Sequence, residues 1–89
     1  MTDFERKVFR KVLKIPLGSV RTYGWVAREI SSPKSFRAVA NALHNNPYPI
    51  FIPCHRVVKT DGRIGGYSLG KGFKKELINL EKKIKNVLK

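Results

Sequence analysis

Apolar residues recur at helical spacing near the start of the chain. Phe4, Val8, Phe9, Val12 and Leu13 share one face, and Lys and Arg fill the other until Pro16. Thr2 and Glu5 stand three apart ahead of this face, the capping-box pair that opens a helix. Leu17-Gly18-Ser19 reads as a turn. A second, shorter helix is predicted from near Thr22 through Trp25, Val26 and Ile30, with a break at Ser31-Ser32. Ser32 is placed to cap a third helix with Pro33 at its first position. There Phe36, Val39, Ala40 and Leu43 fall at i, i+3, i+4 and i+7 and predict a buried stripe. Its other side is small or basic: Ser35, Arg37, Ala38, Asn41 and Ala42. Two short helices joined by a tight break, the second small-faced and carrying Arg, predict a helix-turn-helix. A three-helix bundle with no role on DNA shares that pattern.

Prolines at 47, 49 and 53 exclude a long helix between Asn45 and Pro53. Asn45-Asn46-Pro47-Tyr48-Pro49 is therefore expected to be a rigid connector, and Ile50-Phe51-Ile52 a buried apolar run. Val57-Val58-Lys59 and Arg63-Ile64 flank Thr60-Asp61-Gly62, which predicts a small hairpin with an Asp-Gly turn. Gly65-Gly66-Tyr67-Ser68 follows as a loop. A final helix is predicted from Gly70 or Lys71, with Leu69, Phe73, Leu77, Leu80, Ile84 and Leu88 as its apolar stripe. The predicted fold class is mostly α with a small β-hairpin, winged helix-turn-helix-like, in a single domain over residues 1–89.

Composition narrows the partner. The 89 residues are 42% hydrophobic, enough to fold without staples, although a chain this short buries only about 60–65% of its unfolded surface. Nineteen Lys and Arg against six Asp and Glu give a formal charge of +13, which repels itself and attracts a polyanion. No stretch approaches the roughly 18 apolar residues of a membrane span, and no signal segment opens the chain. Nucleic acid, not membrane, is the expected partner. A single cysteine excludes an internal disulfide and fits a reducing compartment. One Cys and two His make a poor set for a structural zinc.

That cysteine, Cys54, lies beside His55 in Pro53-Cys54-His55-Arg56-Val57. A lone Cys is either a small buried hydrophobe or a nucleophile. As a nucleophile it needs its pKa lowered or its proton taken. His55 can take the proton if the segment turns, because neighbours on a strand point to opposite faces. The basic chain and nearby Arg56 are expected to favour the thiolate. Asp3, Glu5, Glu29, Asp61, Glu76 and Glu81 are the acids able to orient His55, and spacing does not choose among them.

Pro-Cys-His-Arg-Val, with Asn46-Pro47 and a proline-bounded apolar run before it and a glycine-rich segment with Tyr67-Ser68 after it, closely resembles the O6-alkylguanine-DNA alkyltransferases. Arg37-Ala38-Val39 and Tyr23 fall at that family's spacing. The match runs from Phe4 to Glu81 and corresponds to the C-terminal, DNA-binding and reactive domain. The resemblance implies a suicide methylated-DNA–protein-cysteine methyltransferase, repairing DNA by a single transfer from O6-alkylguanine, with no cofactor and no metal. Cys54 resembles the alkyl acceptor, His55 its base acting through a water, Glu81 the carboxylate orienting His55, and Asn46 the brace of the cysteine turn. Tyr23 resembles the side chain that crowds the target phosphate and donates to the guanine ring. Arg37 resembles the finger that fills the gap left by the flipped base, with Ser35, Ala38 and Asn41 beside it on the groove-facing helix. Ser68 resembles the donor to the guanine oxygen, Tyr67 a pocket wall, Cys54 and Val57 carbonyl readers of the exocyclic amine, and Lys74 a residue near the pocket.

The implied partner is duplex DNA carrying O6-alkylguanine. The protein is expected to be monomeric and, in a prokaryote, cytoplasmic and nucleoid-associated. The family's N-terminal domain is expected to be absent, its place open to a partner or a fused domain. Ala40 stands where the family often has Gly, and Phe36 is bulkier than the usual Ala or Val and is expected to pack inward. Two other readings remain. One is a non-catalytic alkyltransferase-like protein that recruits other repair factors, a group that replaces the cysteine, commonly with Trp. The other is a general basic winged-helix DNA binder.

Overall fold

The computed structural model describes residues 2–67 and 69–88. Thr2 opens the first helix as its sequence predicts. Its hydroxyl accepts the Glu5 N–H at 3.1 Å, and the Glu5 carboxylate accepts the Thr2 N–H at 2.9 Å. Helix α1 (Asp3–Leu13) buries Val8, Phe9 and Val12, and Ile15 joins the core just beyond it. Leu13, expected on this face, is exposed.

Strand β1 (Arg21–Thr22) leads directly into α2 (Tyr23–Glu29), where the Thr22 hydroxyl caps the helix by accepting the Trp25 N–H at 3.0 Å. The far end closes as a Schellman motif. Ser31 adopts φ +60°, its N–H donates to the Arg28 carbonyl, and the Ser32 N–H reaches the Ala27 carbonyl at 2.8 Å.

Helix α3 (Phe36–His44) begins later than the Ser32-Pro33 pair predicts. Ser32 and Ser35 instead close a turn of their own: the Ser35 N–H donates to the Ser32 carbonyl at 2.9 Å and the two hydroxyls meet at 3.1 Å. The core-facing positions are then Val39, Ala42 and Leu43, so Ala42 belongs to the interior and not to the outer face. Phe36 does not pack inward. It opens the helix, stands outside the core cluster and is 46% exposed.

The mostly helical class with a small sheet holds, but the sheet is not a hairpin. Strand β2 (Val57–Val58) pairs in parallel with β1, Arg21 opposite Val57 and Thr22 opposite Val58. Both valines are buried, as a parallel strand requires. The Asp-Gly turn does close, with Gly62 at φ +88° and the Lys59 N–H donating to the Arg63 carbonyl at 2.9 Å. Its return arm stops there because the Asp61 carboxylate takes both the Arg63 N–H and its Nε–H, at 3.0 and 2.7 Å.

Two predicted apolar stretches are solvent-facing. In Ile50-Phe51-Ile52 only Ile52 packs on the core, while Ile50 is exposed and Phe51 is 85% exposed. In α4 (Lys71–Leu88), Phe73, Leu80, Ile84 and Leu88 are exposed, as is Leu69 just before it. Leu77 packs on the core as predicted, and the other inward positions are Lys74, Ile78 and Glu81, at i, i+4 and i+7, which turns the helix about one residue from the apolar stripe. A buried Lys and a carboxylate set the register of α4.

Candidate active site

Pro53 ends the connector, and Cys54–Arg56 follow as one turn of 3₁₀ helix closed by the Arg56 N–H on the Pro53 carbonyl at 2.9 Å. This is the turn needed for adjacent residues to face one interior, and Cys54 and His55 are only 2% and 1% exposed. His55 Nε2–H donates to Glu81 Oε2 at 2.9 Å. An ionised carboxylate only accepts, so this bond fixes the proton on Nε2 and leaves a lone pair on Nδ1. Nδ1 is buried and has no hydrogen-bond partner among the described residues.

Arg56 holds Glu81 in place. Its Nε–H donates to Oε1 at 2.9 Å, one Nη–H to Oε2 at 2.8 Å, and the other to the Ile15 carbonyl at 2.8 Å. The chain therefore clamps the carboxylate with a guanidinium fork anchored to the end of α1. Burial works against the charge on Glu81, yet the bonds from Arg56 and His55 outweigh it and keep its pKa below the ordinary value.

Cys54 behaves differently. Burial pushes its thiol pKa up, against opposing contributions from an Asn46 hydrogen bond and the Lys74 charge. The expectation that Arg56 promotes the thiolate is corrected here, since its guanidinium is committed to Glu81. At rest the sulfur is a neutral thiol, and the residue suited to take its proton is His55.

Asn46 is buried and folds the connector over the site. Its Nδ2–H donates to the Ile52 carbonyl at 3.0 Å and, more weakly, to the Tyr48 carbonyl at 3.4 Å, while Oδ1 accepts the Tyr48 N–H at 2.8 Å. The chain reverses between those points, which turns Ile50 and Phe51 outward and holds Ile50 at φ +77°, an unusual value for a β-branched residue. Asn46→Ala strands these backbone groups and removes the constraint on the strained residue. It is expected to cost about 2 kcal/mol, read as a lower urea midpoint at unchanged slope.

A second wall comes from α2, the glycine loop and α4. Lys74 is fully buried, donating to the Tyr23 hydroxyl oxygen at 3.3 Å and to the Gly66 carbonyl at 3.2 Å. Burial lowers its pKa to about 8, with the Cys54 charge acting in the other direction. Gly65 lies at φ +78°, and a Cβ there would sit 2.8 Å from the Tyr23 hydroxyl, so only glycine lets the loop pass this ring. Tyr67 is buried edge-on to the His55 ring at 6.2 Å, and burial raises its pKa to about 12. Val57 is buried directly after the reactive turn. Ser68, expected beside Tyr67, lies outside the described residues.

Ser35, Arg37, Ala38 and Asn41 lie on the outer side of α3, where Arg37, Ala38 and Asn41 are exposed. Arg37 makes no ion pair among the described residues. Tyr23, at the start of α2, joins the α3 surface to the buried wall, since it lines the cleft beside Phe36 and Arg37 and accepts from Lys74.

The family model of the 6-O-methylguanine DNA methyltransferase DNA-binding domain matches residues 3–83. The chain belongs to this family. It is 42% identical over 80 residues to the methylated-DNA–protein-cysteine methyltransferase of Methanosarcina mazei, covering 90% of this chain and 51% of that protein. Its fold superposes on Mycobacterium tuberculosis OGT in complex with DNA with a TM-score of 0.91 at 42% identity, covering 93% of this chain and 52% of that one. S. pombe Atl1, solved with damaged DNA containing O6-carboxymethylguanine, gives a TM-score of 0.78 at 34% identity over 91% of this chain and 77% of that one. The chain thus spans about half the length of the curated relatives it matches.

Within this alkyltransferase domain, Cys54, His55 and Glu81 come together as one unit, and Asn46 braces the connector beside them. Tyr23 and Lys74 form a hydrogen-bonded pair on the opposite wall. The residue that sequence reasoning misjudged is Arg56. Its adjacency to Cys54 points to an effect on sulfur, whereas its partner lies 25 residues on, across a turn of chain that no local pattern displays.

Proposed function

We propose that this domain transfers an alkyl group from O6-alkylguanine in DNA to Cys54, once per molecule. The observation that carries the reading is the Cys54-His55-Glu81 arrangement, in which a buried ring nitrogen left with a lone pair belongs to the residue next to a buried, neutral thiol on one 3₁₀ turn. The Sγ proton passes to His55 Nδ1, directly or through one water, and Glu81 stabilises the imidazolium. The thiolate attacks the alkyl carbon, a new S–C bond forms, and the C–O6 bond breaks with its electron pair on guanine. The Tyr23 hydroxyl accepts from Lys74, so its own proton is free to be donated to the departing base. The thioether has no leaving group for return, which ends the reaction after one turnover.

A lesion inside a duplex must leave the stack first, at a cost of a few kcal/mol. The outer face of α3, small except for Phe36 and Arg37, suits close approach to a minor groove, and Arg37, in no ion pair among the described residues, is able to occupy the gap. A second reading, selective binding without transfer, is favoured by the likeness to S. pombe Atl1, of which the chain covers 77%. The presence of Cys54 with its base argues for transfer.

The test is intact-mass analysis after mixing the protein with a duplex carrying one O6-methylguanine. One added methyl group, mapped to the Cys54 peptide and saturating at one per protein, is the expected result. No gain, with selective binding to the damaged duplex, supports the second reading. No gain and no selectivity removes both.

A further inference from the structure

Phe36 has no task in the fold. It is the first residue of α3, lies outside the core cluster and leaves nearly half its surface in water. Its immediate surroundings point to a partner. The Arg37 guanidinium carbon lies 5.9 Å from the centre of its ring, within cation–π reach, and no acidic side chain among the described residues competes for that charge. The two side chains border an open cleft of about 580 Å³ that Tyr23, Ala40, Lys59, Thr60 and Asp61 also line. Asp61 is occupied by Arg63 at 2.7 Å, so Arg37 and Lys59 set the electrostatics of the cleft. An exposed aromatic against a guanidinium, in a cationic cleft of a chain with charge +13, matches the chemistry of a stacked base beside its phosphates.

We infer that Phe36 is a second intercalating side chain, stacking on the base pair beside the extruded guanine while Arg37 fills the vacated position. This rests on the alkyl-transfer reading and adds a specificity determinant to it. Extrusion leaves two unstacked base faces and one gap. A guanidinium offers planarity and hydrogen bonds, but covers one face poorly for its desolvation. An aromatic ring covers a face at little hydration cost, as apolar wedges do in other minor-groove proteins. The ring–guanidinium contact also holds Arg37 beside Phe36 before DNA arrives, reducing the ordering left to be done on binding. One consequence concerns sequence context. Pyrimidine–purine steps unstack most easily, so repair should run faster where such a step flanks the lesion, and this preference should depend on Phe36.

The experiment compares wild type, Phe36→Ala and Phe36→Trp in single-turnover transfer from duplex O6-methylguanine and from free O6-alkylguanine base, which needs no extrusion. Phe36→Ala is expected to slow duplex transfer about tenfold, the scale of one lost base–aromatic stack, and to leave the free-base rate unchanged. Phe36→Trp should keep the duplex rate, and the urea midpoints of all three should coincide because the side chain is outside the core. Equal duplex rates for wild type and Phe36→Ala would overturn the inference, as would an equal loss on both substrates. Should wild type transfer from neither substrate, the alkyl-transfer reading fails on its own. Fluorescence of 2-aminopurine next to the lesion then decides about Phe36: a binding-induced change lost in Phe36→Ala and kept in Phe36→Trp supports insertion, and identical changes in all three overturn it.

Discussion

Cys54→Ala is expected to abolish the methyl gain completely while changing affinity for the damaged duplex by no more than about twofold, or ~0.4 kcal/mol. The chain has no other thiol, so no second soft nucleophile can take over. Cys54 is only 2% exposed and contributes little area to any DNA contact. Truncating it leaves a void of one atom, which at about 1 kcal/mol does not unfold the domain. Cys54→Ser should be equally inactive, for a different reason. Its hydroxyl is the right size and can donate to His55 Nδ1, but it holds its proton far more tightly and is a harder nucleophile at carbon. Intact mass and fluorescence anisotropy check the two halves separately. Transfer persisting in either variant would remove Cys54 as acceptor, and lost binding would mean that the variant perturbs the α3 surface. Burial fits a one-use residue: a thiol held neutral in the interior is spared casual oxidation until a substrate is in place.

What the sequence displayed depended on range. Helices α1 and α2 were legible because their signals are local: a capping box at Thr2 and Glu5, a cap at Thr22, a break at Ser31. Helix α4 was legible as a helix but not in its orientation. Phe73, Leu77, Leu80 and Ile84 form a better apolar stripe than Lys74, Ile78 and Glu81, yet only Leu77 of the first set reaches the core, because the ion-paired turn at Cys54–Arg56 draws the second set inward. The pairing of Val57 with Arg21 joins residues far apart in sequence, so the nearer hairpin was the natural reading. For the site, Cys54 and His55 stood out as residues. Glu81 could not be chosen from six acids by spacing and came only from resemblance. Physically it is selected by Arg56, whose side chain spans from α1 to α4 and whose partners appear only in three dimensions.

That clamp makes Glu81 the position where stability and chemistry are lost together. Glu81→Ala removes both oxygens from Arg56 and the acceptor from His55, leaving a largely buried guanidinium unpaired. The expected cost is about 3 kcal/mol, a large part of the roughly 5–13 kcal/mol that holds a domain of this size, and about 15 °C in Tm. Transfer by the remaining folded protein should fall about 100-fold, since His55 loses the bond that fixes its tautomer and steadies its charged form. The pH dependence gives a signature that simple loss of packing lacks. Glu81 has a folded pKa below its ordinary 4.5, so its contribution is present in full above that value and disappears as the pH falls through the folded one. Wild type should therefore lose stability through this acidic window, and Glu81→Gln should lose less across it because nothing remains there to protonate. Glu81→Gln keeps the shape and one acceptor oxygen, which makes it the variant for kinetics at neutral pH. A Glu81→Gln protein that transfers at the wild-type rate would reduce Glu81 to an anchor for Arg56. A slow transfer in a protein of near-wild-type Tm would place the carboxylate charge in the reaction itself.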